Sequence, residues 1–105
     1  MTRIEQLQQF MLDDPSDPFS YYALALELLH HEPAQAREQF EKLLTEFPEY
    51  LPTYYPAAHL LIDLGDQDGA EKLFQLGIEK AKAQGNRKTE LELRQALEQW
   101  QFDRS

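Results

Sequence analysis

The chain has no cysteine and no valine, and only four glycines. The missing thiols exclude disulfides, thiolate metal sites and a cysteine nucleophile. With valine absent and threonine scarce, leucine, glutamine, glutamate and alanine dominate; these side chains lose little rotamer freedom in a helix, which favours an all-α chain. No apolar run approaches the roughly 18 residues of a membrane span. The start, Met1-Thr2-Arg3-Ile4-Glu5-Gln6, lacks a basic segment followed by an apolar one, so no secretory leader is expected and a cytoplasmic location is. Cations are also in short supply: 10 Lys and Arg stand against 19 Asp and Glu, a formal charge of −9. That balance opposes binding to a phosphate backbone. It suits solubility, and it can also steer basic protein segments.

What is present is a repeat. Tyr21, Leu24-Ala25, Leu28, Ala36, Phe40 and Pro48 recur as Tyr54, Ala57-Ala58, Leu61, Ala70 and Phe74. The first half of the set shifts by 33 positions and the second by 34, so the first copy lacks one residue between Glu32 and Ala36. An N-terminal stretch with Ile4, Leu7, Phe10 and Met11 at helical spacing has its own relative: Glu5-Gln6-Leu7 through Asp14-Pro15 matches Glu38-Gln39-Phe40 through Phe47-Pro48 at a constant offset of 33. It reads as the second helix of a repeat whose first helix is absent.

Punctuation residues set the expected boundaries. Asp17 before Pro18 is an N-cap followed by proline at the first helical position. That helix should run from Pro18 to His30 or His31, and its partner from Pro33 to Phe47-Pro48. Thr53 is the expected cap of the next helix, placing Pro56 in the first turn, where its missing N–H costs nothing. Gly65 and Asp66 turn the chain into a helix over about 68–84, and Gly85-Asn86 stop it. A last helix from Arg87 to Trp100 carries Leu93, Ala96, Leu97 and Trp100 on one side. The tail 101–105 is expected to fray.

The pattern of aromatic, Leu plus small residue, Ala-x3-Phe and closing Pro resembles the tetratricopeptide repeat. The chain departs from it at Ala57, Gly77 and Lys82, which stand where Leu, a residue like Ala, and Pro are usual. The resemblance implies a single all-α domain over 1–105 with the tetratricopeptide α-α superhelix: a half-repeat helix (3–14), two full repeats (18–50 and 51–85) and a capping helix (87–101). A lone pair of helices cannot bury its apolar stripe, so the repeats must stack. In this family the first helices of the pairs line a concave groove. By register those positions are Phe19, Tyr22, Leu26, Leu29 and His30 in the first repeat, and Tyr55, His59, Ile62 and Asp63 in the second. Either they form a groove for a peptide of another protein, or the N-terminal helix or the cap covers them. The basic clamp by which some relatives hold a chaperone's terminal carboxylate is missing: Tyr22, Leu26, Tyr55 and His59 occupy its sites. An apolar anchor, with a basic residue opposite Asp63, is the expected ligand.

Catalysis has no support. His30 and His31 are adjacent on one helix end and point about 100° apart, and His59 stands alone, so no metal site is expected. No G-x-S-x-G elbow or glycine-rich phosphate loop occurs, and Asp13-Asp14 and Glu90-Glu92 are expected to sit in solvated stretches. No cofactor is implied. A non-catalytic adaptor binding a protein or peptide is one reading. The other is a homodimeric scaffold paired through Ile4, Phe10, Met11 and Leu12 with two-fold symmetry. The repeat register itself makes a prediction: Ala58→Leu should overpack the helix contact by about 1–3 kcal/mol, and an unchanged thermal midpoint would refute the alignment.

Overall fold

Four of the six helices begin on a short polar side chain that accepts a hydrogen bond from the first turn. In the computed structural model, which describes residues 1–105, these caps are Thr2, Asp17, Asp66 and Asn86. Thr2 and Glu5 form a reciprocal capping box, with Glu5 N donating to Thr2 Oγ1 at 3.1 Å and Thr2 N donating to Glu5 Oε1 at 3.2 Å. The helices are α1 (Arg3–Asp13), α2 (Pro18–Leu28), α3 (Pro33–Glu46), α4 (Tyr54–Asp63), α5 (Gln67–Ala83) and α6 (Arg87–Arg104). α3 has no side-chain cap and starts on Pro33, whose N–H would have been an orphan in any case.

Thr53 does not cap α4. It lies in a 3-10 turn (Leu51–Thr53), and its Oγ1 is buried without a hydrogen-bond partner. An N-cap needs extended backbone, which a 3-10 turn denies it. Pro56 is nevertheless the third residue of α4, inside the first turn as expected.

The chain packs as two units, Met1–Thr53 and Tyr54–Ser105. In the first, α2 packs against α1 on one side and α3 on the other. Tyr21, Leu24, Ala25, Leu28, Ala36, Phe40 and Leu43 are buried, together with Leu7 of α1. Tyr21 adds a polar tie, its hydroxyl donating to the Pro15 carbonyl at 2.9 Å. α2 ends two residues before His30, and the turn closes by bonds from His31 N and Glu32 N to the Leu28 carbonyl, at 3.1 and 2.8 Å.

In the second unit α5 lies between α4 and α6. Both of its turns use glycine in the left-handed region: Gly65 at φ +85° and Gly85 at φ +71°. Each is followed by an N–H reaching back five residues in the Schellman manner, Asp66 N to Leu61 O at 2.8 Å and Asn86 N to Ala81 O at 2.9 Å. Tyr54, Ala57, Ala58, Ala70, Phe74, Ile78, Ala81 and Leu93 form the core. Leu60 is buried as well, whereas Leu61, expected in the core, is half-buried.

Gly77, the departure from the repeat pattern, has a packing reason. A Cβ there would stand 2.7 Å from Tyr54 Cβ and 2.9 Å from Leu93 Cδ1, so α4 and α6 both press on bare backbone.

The tail does not fray. α6 continues to Arg104, whose guanidinium lies 4.2 Å from the centre of the Trp100 ring. Arg104 also donates to Gln67 Oε1 at 3.0 Å and pairs with Glu71 at 3.5 Å. These contacts supply the order that terminal residues lack when nothing holds them. Near the start of α6, the buried carboxylate of Glu90 accepts from Arg94 Nε at 3.0 Å and Arg87 Nη1 at 3.3 Å.

Two outcomes follow from these contacts. Gly77→Ala would gain about 1 kcal/mol of helix propensity at an open site. Here the added methyl should cost more than that, for a net loss of about 1–2 kcal/mol, read as a lower urea midpoint; a more stable variant would refute the close approach. The second concerns acid. The Arg94 hydrogen bond, with Arg87 beside it, holds the Glu90 carboxyl below its usual range. A lowered folded value makes its stabilisation complete above the ordinary glutamate value of about 4.3, and lost as pH falls through the folded one. Glu90→Gln should therefore be less stable than the parent at pH 7, and the gap in denaturation midpoint should close in acid below about pH 4. A gap that persists there would show that the ionised form is not what matters.

Candidate functional site

An open cleft of about 730 Å³ lies between α4 and α6 in the second unit. α4 contributes Tyr55, His59 and Ile62, a stripe at i, i+4 and i+7 that leaves the buried Tyr54, Ala57 and Ala58 to face the core. α6 contributes Glu92, Gln95, Ala96, Gln99, Trp100 and Asp103. Most of these form a second stripe beside the one carrying Leu93, Leu97 and Trp100, so one helix serves both core and cleft.

Aromatic contacts link the two walls. Phe74 of α5 is fully buried, and its ring meets His59 edge-on at 5.7 Å and Trp100 at 6.0 Å. Tyr55 lies 4.5 Å from His59 and is about half exposed. Such tilted and edge-on geometries suit the ring quadrupoles and add to plain apolar burial. The His59 ring is thus held on two sides, and its Nε2 is buried without a hydrogen-bond partner. Gln99 Nε2 donates to Asp103 at 2.9 Å, and Lys88 stands 3.9 Å from Glu92.

The residues expected at the groove divide between the units. Tyr55, His59 and Ile62 line the α4–α6 cleft, while Asp63 ends α4 exposed, outside the lining. In the first unit Phe19 and Leu26 are exposed on α2. Tyr22 is half-buried edge-on against Tyr50 at 5.8 Å, and burial raises both phenols above their usual value, Tyr50 further through Tyr22 and Asp17. Leu29 is half-buried and His30 exposed where α2 ends. None of these five lines the cavity of about 610 Å³ in their own unit, which is walled by α1 residues such as Gln8, Met11 and Leu12, with Pro15, Tyr21, Gln39 and Lys42.

Sequence reasoning missed the α6 wall. The signal was the spacing of Glu92, Ala96, Gln99 and Asp103 at i, i+4, i+7 and i+11, hidden because three of the four are polar and read as a solvated face. No cluster of three or more His, Asp or Glu side chains is placed to hold a metal ion, and no helix is long and apolar enough to cross a membrane.

A tetratricopeptide repeat family profile matches residues 27–87. The solution structure of a tetratricopeptide repeat domain protein from Salinibacter ruber is 39% identical, with a TM-score of 0.77 over 82% of this chain and 88% of that one. A crystal structure of a tetratricopeptide repeat domain protein from the same organism is also 39% identical, with a TM-score of 0.73 over 77% and 92%. A Bordetella parapertussis protein, 18% identical, shares the fold alone, with a TM-score of 0.81 over 98% of this chain and 90% of that one. No curated protein matches. The repeat read from Tyr21 to Phe74, the helix order and these likenesses agree: the chain belongs to the tetratricopeptide repeat family.

Proposed function

We propose that this chain is a non-catalytic adaptor whose α4–α6 cleft holds a segment of a partner protein. Tetratricopeptide domains generally mediate protein–protein interactions and are typically not enzymes. The observation that carries the proposal is the pairing of Tyr55 and Ile62 with Trp100 across an open cleft whose rim is polar. Aromatic side chains that are partly exposed and held rigid by their neighbours are the usual anchors of protein interfaces. A self-associating scaffold is the second reading. It rests on α1, where Phe10 is 52% and Leu12 76% exposed.

Affinity capture from a lysate should separate the two. The native chain is compared with a Tyr55→Ala/His59→Glu variant of matched stability. A protein held by the native chain and lost by the variant supports the cleft. Equal retention moves the site elsewhere, and an empty eluate with a sedimentation mass that rises with concentration favours the scaffold.

A further inference from the structure

We infer that the α4–α6 cleft selects a cationic segment carrying one aromatic or aliphatic anchor, an inference that rests on the binding role proposed above. Apolar surface for the anchor comes from Tyr55, Ile62 and Trp100. The carboxylates of Glu92 and Asp103 are in the lining, and no Lys or Arg is. Asp103 receives a hydrogen bond from Gln99 and has no cation paired to it. Glu92 has only Lys88, at 3.9 Å and with its side chain 87% exposed. A surface pair of that kind is weak, so a partner's ammonium can replace it at little cost. Arg104 lies over Trp100 but is committed to Glu71 and Gln67.

The same distribution argues against other occupants. An acidic segment or a free terminal carboxylate would meet two carboxylates with no basic residue in the lining to receive it. A second copy brings another −9 of charge, and the exposed apolar end of α1 at Phe10 and Leu12 is followed by Asp13 and Asp14. A basic segment, by contrast, is drawn in by the net charge before it makes any contact.

Three capped hexapeptides test this: Lys-Lys-Leu-Phe-Lys-Lys, Glu-Glu-Leu-Phe-Glu-Glu and Lys-Lys-Ser-Ser-Lys-Lys. Trp100 is the only tryptophan, so its emission reports occupancy of the cleft without a label. At low ionic strength the first peptide should shift that emission saturably, and Glu92→Gln/Asp103→Asn should weaken its binding about tenfold, a gap that about 0.5 M salt narrows. Asp13→Asn/Glu38→Gln removes the same formal charge from exposed residues outside the cleft lining and should leave affinity within about twofold, since neither carboxylate lines the cleft. Circular dichroism confirms that each variant is folded. Equal binding by the acidic peptide, or no loss in the Glu92/Asp103 variant, overturns the charge selection while leaving a binding cleft. Equal binding by the serine peptide overturns the anchor. An emission that none of the peptides moves overturns this inference and the α4–α6 cleft as binding site together. An emission that changes with protein concentration alone assigns the cleft to a second copy and overturns it too.

Discussion

An isolated helix of ten to eighteen residues is marginal in water, and most of its stability must come from covering its apolar stripe with another helix. The two units meet that demand in the same way. Small residues stand at the helix contacts and large ones fill the space around them: Ala25 and Ala36 with Phe40 in the first, Ala58 and Ala70 with Phe74 in the second, all at 2% exposure or less. Close approach makes room for little else at those positions, and it fixes which faces remain available. In the second unit the bare backbone of Gly77 carries the contact to two neighbours at once, so α5 holds α4 and α6 in register on its two sides.

The cleft is a by-product of that arrangement. With Tyr54 and Leu93 turned to the core, the residues next to them in each helix face outward at a fixed distance. Phe74 then sets the rings of His59 and Trp100 from beneath. A rigid floor costs a ligand less ordering entropy than loose side chains would. The rim carries acidic and amide groups, in keeping with the charge of the whole chain. In the binding role proposed for the cleft, affinity would come from the floor and selectivity from the rim, and the two are separable because different residues supply them.

Much of this was legible in the chain. Tyr21, Ala25, Phe40 and their counterparts gave the repeat, since identical packing requires residues of similar size at the same spacing. Asp17, Asp66 and Gly65 gave the boundaries, since caps and left-handed turns are local chemistry. Tyr55, His59 and Ile62 were legible as a face because the repeat pattern did not need them. The rest depended on distant contacts. Arg104 orders the end of α6 through Gln67 and Glu71, more than thirty positions away. Thr53 has a capping residue's chemistry but lies in a 3-10 turn that no local preference announced. Glu92, Gln99 and Asp103 look like an ordinary wet surface until α4 is set opposite them.

The fit between Gly77 and Tyr54 also constrains how such a chain can change over generations. Two positions 23 residues apart share one space, so a larger residue at the first becomes acceptable only after the second helix has moved or been remodelled. Either step taken alone passes through a less stable protein, and stability margins are narrow. The order of substitutions thus matters at this pair: a lineage with glycine here is held to it by the packing of its neighbours.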